Sequence, residues 1–177
     1  MRVVAGSLGG RQFASPRGHR THPMSEKGRG ALFNALGDIT GLTVLDAFSG
    51  SGALSIEAIS RGAQSATAIE LDKEAVRTIS DNLRHLDIED KVTLLRRNVK
   101  GWSRNNQQRE FDIVLADPPY DDIRPDVLAG LTTHLTVDGI LVISWPGKEP
   151  PREFPGVTII SAKNYGDAQL VFYRRTK

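Results

Sequence analysis

From residue 43 to the end of the chain, short apolar runs alternate with segments of helical pattern, and this alternation is the strongest constraint on the fold. The apolar runs are 43–45, 66–69, 92–95, 111–116, 139–144, 157–160 and 168–173. Strands separated by helical segments are typical of a parallel sheet wound with crossover helices. The last two runs are separated only by 163–167, a spacer of hairpin length, so we expect the sheet to end with an antiparallel strand.

Residues 1–40 precede this alternation and have a different pattern. Two short apolar pieces, 2–5 and 11–13, flank a glycine-rich turn and predict a small β-hairpin. Ser25 then suits the N-cap of a helix that Gly37 ends. We therefore predict a hairpin arm with a leading helix over 1–40 and a main domain over 41–177. At 177 residues the two parts suit one compact domain.

Positive charge is concentrated in the first thirty residues, although the net charge of the whole chain is only +2. Glu26 is the single acid in this segment, and the basic residues are Arg2, Arg11, Arg17, Arg20, Lys27 and Arg29. A basic segment of this kind attracts phosphate groups, while a solvated basic tail is the alternative that charge alone leaves open. The candidate contacts to a nucleic acid are Arg11, Arg17, Arg20, Lys27 and Arg29.

Several classes of protein are disfavoured by composition. The chain has no cysteine, and its four histidines lack metal-ligand spacing, so we expect no disulfide and no metal site. No apolar run approaches the roughly 18 residues that span a bilayer, and the first residues lack a signal-peptide core. We expect an unsecreted cytoplasmic protein without a membrane segment.

A glycine loop, Asp46-Ala47-Phe48-Ser49-Gly50-Ser51-Gly52, follows the first predicted strand and opens the first helix. Its glycines would let backbone N–H groups approach a ligand at the helix N-terminus. Position 55 is serine where a dinucleotide fingerprint has its third glycine, so the ligand need not carry phosphate. The Asp46 carboxylate could hold an amino group, such as that of the methionine part of S-adenosylmethionine. A carboxylate that only braces the loop is the alternative.

Two later strand ends carry further candidates for a cofactor site. Glu70 lies about 20 residues after the glycine loop, the spacing from which a carboxylate accepts hydrogen bonds from ribose hydroxyls. Asn98 follows the third strand and could offer its amide to an adenine edge, although a loop Asn often bonds the local backbone. With their neighbours Leu71 and Val99, and with Asp46, Phe48, Gly50 and Gly52, these residues form the predicted cofactor site.

Asp117-Pro118-Pro119-Tyr120 is the most specific motif and follows the strongly apolar strand 111–116. Two prolines after an aspartate form an edge that lacks backbone donors and offers acceptors and a ring. The Asp117 carboxylate and the Pro118 carbonyl can each accept a hydrogen bond from one N–H of an amino group on a base. Tyr120 supplies a face on which an extruded base can stack. The motif therefore predicts methylation of an exocyclic amino group, with a strand-ending turn as the alternative.

Over nearly its whole length the chain resembles the bacterial 16S ribosomal RNA guanine-N2 methyltransferases of the D type. The similarity is carried by Gly10-Arg11, the segment from His22-Pro23 to Leu32-Phe33-Asn34, the loop 46–54 with Glu57-Ala58, the Asp-Pro-Pro-Tyr motif, and Tyr165-Gly166-Asp167. This resemblance implies a Rossmann-like methyltransferase fold with a seven-stranded, mostly parallel sheet, and S-adenosylmethionine as cofactor. It implies a monomer that acts on a guanine of 16S rRNA in the small ribosomal subunit or its assembly intermediate.

The same resemblance implies roles for individual residues and leaves alternatives. Glu70 would hold the ribose, Asn98 the adenine, and Asp117 with Tyr120 the target base.

An adenine-N6 methyltransferase acting on DNA or RNA is the alternative enzyme, because it would use the same motif. Glutamine methylation in a protein would better suit Asn in place of Asp117. A non-catalytic RNA-binding assembly factor is the alternative outside enzymes, although pure binding does not need Asp117.

Overall fold

The computed structural model describes residues 1–18 and 23–177, which form an α/β fold around one seven-stranded sheet. The strands are β1 Thr43–Asp46, β2 Ser65–Glu70, β3 Val92–Arg96, β4 Phe111–Ala116, β5 Leu135–Pro146, β6 Val157–Tyr165 and β7 Ala168–Arg175. The helices are α1 Glu26–Leu36, α2 Ala53–Ser60, α3 Lys73–His85, α4 Val99–Asn105 and α5 Pro125–Leu131. Across the described residues, none of these helices has the length and apolarity needed to cross a membrane.

The strand order in the sheet is β3-β2-β1-β4-β5-β7-β6. Strands β1 to β5 pair in parallel, and β7 is antiparallel to both of its neighbours. The predicted Rossmann-like methyltransferase fold with a final antiparallel strand is therefore confirmed. The antiparallel strand is inserted between β5 and β6, a position that the sequence pattern does not specify.

Local signals placed most element boundaries correctly. The Ser25 side chain accepts a hydrogen bond from the Gly28 amide, and Asp72 accepts one from Ala75, so both act as N-caps. Strand β5 begins at Leu135, earlier than the predicted residue 139. The register of its pairing with β4 shifts between Leu135 and Ile140. Asp138 has a φ of 64° within this irregularity, which interrupts the apolar pattern.

The N-terminal segment forms a short hairpin that packs on the sheet domain. Arg2 and Gln12 form an antiparallel bridge, and the Val3 amide donates to the Arg11 carbonyl at 2.9 Å. The side chains of Val3 and Phe13 are buried in the same core cluster as residues of α1, α2 and the sheet. The predicted hairpin is therefore present and packed on the fold, and its residues do not form the solvated basic tail that charge alone left open.

Helix α2 holds this hairpin through two buried polar side chains. The Glu57 carboxylate, 1% exposed, accepts hydrogen bonds from the backbone amides of Val4 at 3.0 Å and Ala5 at 3.4 Å. The Ser60 hydroxyl accepts from the Leu8 amide at 2.9 Å. Gly6 approaches so closely that a β-carbon would lie 1.9 Å from the Ser60 carbonyl oxygen, so the contact requires glycine.

We expect Glu57→Ala to lower the free energy of unfolding by about 2–4 kcal/mol, since it leaves two backbone donors unpaired and removes a buried side chain. Urea denaturation followed by circular dichroism measures the change. Glu89→Ala is the matched control: the Glu89 side chain is 63% exposed, and its loss should cost less than about 0.5 kcal/mol. Equal stability of the two variants would show that Glu57 does not anchor the hairpin.

Candidate active site

The carboxyl ends of β3, β2, β1 and β4 lie side by side at one edge of the sheet. Parallel strands bring the residues that follow them to the same edge, where ligands of open α/β sheets bind. The predicted cofactor residues follow β1, β2 and β3, and the Asp117–Tyr120 motif follows β4. The structure therefore brings the predicted cofactor and catalytic residues together at what we call the candidate edge.

Asp46 ends β1, and its side chain is completely buried. One oxygen, Oδ2, accepts hydrogen bonds from the Ser55 hydroxyl at 2.7 Å and from the Ser55 amide at 3.2 Å. The other oxygen, Oδ1, contacts no hydrogen-bond donor among the described residues. Ser55, where a dinucleotide fingerprint has glycine, thus fixes one oxygen of this carboxylate and leaves the other without a partner among the described residues.

Burial raises the pKa of Asp46 to about 6, and the negative charge of Asp117 adds to this effect. A buried acceptor without a partner costs about 1–3 kcal/mol, and more when it is charged. A cationic donor at Oδ1 would remove this cost and favour the ionised carboxylate. These properties suit the ammonium group of an amino acid better than a phosphate.

The glycine loop after Asp46 is held in shape by Glu70 at the end of β2. The Gly50 amide donates to Glu70 Oε2 at 2.7 Å, while Oε1 accepts from the amides of Leu71 and Asp72. Gly52 has a φ of 77° and a β-carbon there would lie 3.1 Å from Ile79, so this turn before α2 favours glycine. Phe48 is half-buried and packs against a core cluster that includes Leu45, Trp102 and Val114.

Glu70 thus holds the loop in place, and its carboxylate can still accept a further hydrogen bond. Each carboxylate oxygen has two lone pairs, so a ribose hydroxyl could still bind beside the backbone amides. The neighbouring Leu71 side chain is 58% exposed at the same edge. Leu71 therefore offers an uncovered apolar surface next to the acidic group.

Asn98 has a structural role in addition to its predicted one. Its side-chain oxygen accepts a hydrogen bond from the Gly101 amide at 3.1 Å and so caps α4. The next residue, Val99, is buried with 8% exposure, while Asn98 itself is exposed. The cap fixes the side chain near the candidate edge, and contact between its NH₂ group and adenine stays a prediction.

The Asp117–Tyr120 motif continues β4 beyond the sheet. Burial raises the pKa of Asp117 to about 6, and a hydrogen bond with Ser144 partly offsets this rise. Pro118 is buried, and the Pro119 carbonyl accepts a hydrogen bond from the Asp122 amide at 3.0 Å, which closes a turn. Tyr120 is 43% exposed and its hydroxyl lies 2.6 Å from the Ser144 hydroxyl. The motif therefore presents a carboxylate and an uncovered ring side by side.

Two serines at the candidate edge were missed by sequence reasoning. Ser55 binds Asp46, and Ser144, one residue beyond the last pair between β4 and β5, contacts Tyr120 of the Asp117–Tyr120 motif. The available signal for Ser144 was its position as a polar residue ending a long apolar run, one strand away from Asp117. Pairing between β4 and β5, which brings the two together, is not encoded in any local pattern.

The predicted RNA contacts do not form one group. Arg29 must be corrected: it is 1% exposed, and its guanidinium donates to the carbonyls of Met24 and Arg2. Because these internal bonds use the charge to hold the N-terminal segment, Arg29 is not presented to RNA in this structure. Arg20 lies outside the described residues, and Arg17 is exposed.

Arg11 and Lys27 are both exposed. Arg11 donates to the carbonyl of His85 at the end of α3, about 20 Å along that helix from the candidate edge. Lys27 is in the first turn of α1, a helix that contacts α2 through Phe33 and Arg61.

Among residues 1–18 and 23–177, there is no cluster of three or more histidine, cysteine, aspartate or glutamate side chains that could hold a metal ion.

Comparisons with known proteins agree with this architecture. The model of the family described as conserved hypothetical protein 95 matches residues 1–174. YlbH of Bacillus subtilis is 30% identical over 99% of both chains. Ribosomal RNA small subunit methyltransferase D of Escherichia coli is 32% identical over 68% of this chain and 60% of its own length.

Two further proteins are similar to this chain, one compared by sequence and one by structure. Ribosomal RNA small subunit methyltransferase D of Buchnera aphidicola is 34% identical, over 67% of this chain and 62% of its own length. The solved structure of yhhF from Escherichia coli superposes with a TM-score of 0.88 and 27% identity, covering 99% of this chain and 98% of that one. The chain therefore belongs to the conserved hypothetical protein 95 family, the family of the ribosomal RNA small subunit methyltransferase D proteins.

Proposed function

We propose that this protein transfers a methyl group from S-adenosylmethionine to the exocyclic 2-amino group of a guanine in 16S rRNA. The observation that carries the proposal is the position of Asp117-Pro118-Pro119-Tyr120 beside the half-satisfied carboxylate of Asp46. One site would hold the cofactor by its ammonium group, and the other would receive an amino group. Their adjacency suits transfer between the two.

The residues at the candidate edge fit S-adenosylmethionine. Asp46 Oδ1 would accept a hydrogen bond from the ammonium group, and the positive φ angles of Gly50 and Gly52 shape the loop beside it. Glu70 would accept from the ribose hydroxyls, with Asn98 at the adenine edge. When bound, the cofactor supplies a methyl group made electrophilic by its sulfonium. The protein contributes orientation and charge.

Asp117 and Pro118 would activate the target nitrogen. An exocyclic amino nitrogen is a poor nucleophile because its lone pair is delocalised into the base. Hydrogen bonds from its two N–H groups to the Asp117 carboxylate and the Pro118 carbonyl would favour a pyramidal nitrogen with an available lone pair. Asp117 would also stabilise the positive charge that develops on this nitrogen and accept its proton.

Tyr120 would hold the base during transfer. Its ring is uncovered, and its hydroxyl is engaged by Ser144 rather than directed at a ligand. Stacking of a base on an aromatic ring is worth about 1–3 kcal/mol and does not depend on base identity. A guanine extruded from its helix would recover on this ring part of the stacking that it loses.

The names of the relatives narrow the substrate to ribosomal RNA. The similar proteins of Escherichia coli and Buchnera aphidicola are both named ribosomal RNA small subunit methyltransferase D. A small-subunit rRNA, free or in an assembly intermediate, is the partner that we propose, with a monomeric enzyme in the cytoplasm. The exposed Arg11, Arg17 and Lys27 support binding of a polyanion. The core shared by the N-terminal segment and the sheet supports treating 1–40 and 41–177 as one folding unit.

An adenine-N6 methyltransferase is the second candidate function. The acceptor edge binds an amino group without reading the rest of the base, so it would serve adenine as well. A protein of Shewanella loihica named tRNA1(Val) (adenine(37)-N6)-methyltransferase is 31% identical over 65% of this chain and 48% of its own length. Product analysis separates the two candidates.

The proposed reaction predicts label in N2-methylguanosine when the protein is incubated with labelled S-adenosylmethionine and small subunits that lack the modification. Digestion of the rRNA to nucleosides and chromatography identify the product. Label in N6-methyladenosine would replace the guanine assignment with the second candidate. Transfer to protein, or no transfer to any component, would reject RNA methylation.

Asp117→Asn is the control for this assay, since it keeps the shape of the side chain but cannot accept a proton. We expect transfer to fall by at least about 100-fold, with the dissociation constant for S-adenosylmethionine nearly unchanged by calorimetry. Asp46→Asn should instead weaken cofactor binding, because it removes the charge opposite the ammonium group. Loss of cofactor binding in Asp117→Asn would show that Asp117 has a structural role.

The double variant Arg17→Ala, Lys27→Ala should weaken binding of small-subunit rRNA in a salt-dependent manner. Each lost phosphate contact should lower the slope of log affinity against log salt by about 0.7–0.9. Filter binding at salt concentrations between about 50 and 200 mM measures this slope. Arg174→Ala is the matched control, because Arg174 is an exposed residue of β7 paired with Ile140, away from the candidate edge. An equal effect of the control would assign RNA binding to overall charge.

A further inference from the structure

Ser144 lies in β5, one residue beyond the last pair between β5 and β4. Ala116 is paired with Ile143, so the next residues of the two strands, Asp117 and Ser144, reach the candidate edge at the same level. The Ser144 side chain is 4% exposed, and its hydroxyl is 2.6 Å from that of Tyr120. The buried hydroxyl of Ser144 therefore lies between Asp117, to which we assign proton acceptance, and Tyr120, to which we assign base stacking.

We propose that Ser144 is a positioning residue that joins Tyr120 and Asp117 in one hydrogen-bonded chain. In this chain the Tyr120 hydroxyl donates to Ser144 and the Ser144 hydroxyl donates to Asp117. The effect on catalysis rests on the proposed function, whereas the hydrogen-bonded chain itself does not depend on it.

The donors and acceptors that each group carries set the direction of the hydrogen-bonded chain. An ionised carboxylate only accepts, and a serine hydroxyl has a single hydrogen to donate. If that hydrogen goes to Asp117, the lone pairs of Ser144 Oγ are left for the Tyr120 hydroxyl. Burial raises the pKa of Tyr120, which keeps its phenol protonated and able to donate. Hydrogen bonds that polarise one another in this way strengthen the bond to the carboxylate.

The chain has two consequences at the candidate edge. It turns the Tyr120 hydroxyl inward, so the ring is held in one orientation with its uncovered part available to a base. It also stabilises the ionised form of Asp117, because a hydrogen bond with Ser144 opposes the rise in pKa that burial causes. Ser144 thereby acts on the reaction through both neighbours without contacting the base.

Other charged groups near Asp117 enter its titration as well. Asp46 on the neighbouring strand β1 carries a charge that interacts with Asp117, and Tyr120 lies on the other side. Replacing Ser144 by alanine leaves both in place. A change in the titration of Asp117 in that variant would therefore report the lost hydrogen bond.

Carboxyl ¹³C NMR titration of the whole protein tests the chain, with Asp117→Asn used to assign the resonance. We expect the Asp117 midpoint to lie near pH 6 in the unaltered protein. In Ser144→Ala it should move upward by about one pH unit, since a hydrogen bond to a charged group is lost. Ser144→Thr keeps the hydroxyl and should restore the midpoint to within about 0.3 units.

Ser103→Ala is the matched control. Ser103 is a buried serine bonded to His134 at 2.8 Å, away from the candidate edge, so its loss should leave the Asp117 midpoint unchanged. Tyr120→Phe supplies a second variant that keeps the ring and removes the first donor of the chain. It should raise the Asp117 midpoint by a smaller amount than Ser144→Ala, and it decides the matter if Ser144→Ala does not fold.

Kinetics separate this inference from the proposed function. In rRNA methylation, Ser144→Ala should raise the KM for RNA several-fold, because a base stacks less well on a ring that is free to turn, with rescue by Ser144→Thr. An unchanged Asp117 midpoint in Ser144→Ala or, failing that, in Tyr120→Phe would overturn the inference even if rRNA is methylated. A shifted midpoint without any rRNA methylation would keep the chain and reject the proposed function.

Discussion

The buried carboxylate of Asp46 is the constraint on which the candidate edge depends. It ends the central strand β1, and its only hydrogen bonds among the described residues come from Ser55 in the first turn of α2. This attachment fixes the start of α2 relative to the sheet and thus the shape of the glycine loop between them. The remaining oxygen is a buried acceptor without a hydrogen-bond partner among the described residues, which is unfavourable until a donor reaches it.

Helix α2 also connects this site to the N-terminal segment. Ser55 faces Asp46, while Glu57 and Ser60 on the same helix bind the backbone of residues 4–8. Arg29, whose charge suggested an RNA contact, instead holds the backbone at Arg2 and Met24. The described residues among the first forty are therefore packed against the sheet domain, and Arg11, Arg17 and Lys27 are exposed on this part of the protein.

Sequence predicted well what depends on local signals. The cap at Ser25, the strand–loop–helix alternation and the placement of Asp117 after a buried strand all follow from short patterns. Sequence failed where a role depends on residues far apart in the chain. Arg29 is buried because hairpin and helix meet there, and Ser144 contacts Tyr120 because β4 and β5 are neighbours. Asn98 is an intermediate case: a bond to the local backbone was the stated alternative and is present, whereas its contact with adenine stays a prediction.

The central claim is that the ionised Asp117 carboxylate takes part in the reaction at the candidate edge. Burial raises its pKa to about 6, so its protonation state changes within an accessible pH range. Saturating cofactor would keep Asp46 ionised through its ammonium partner, which leaves Asp117 as the group that limits transfer at low pH. We predict that the single-turnover rate of rRNA methylation rises about tenfold per pH unit below pH 6 and becomes constant above it. A rate that does not change between about pH 5 and pH 8 would contradict the account.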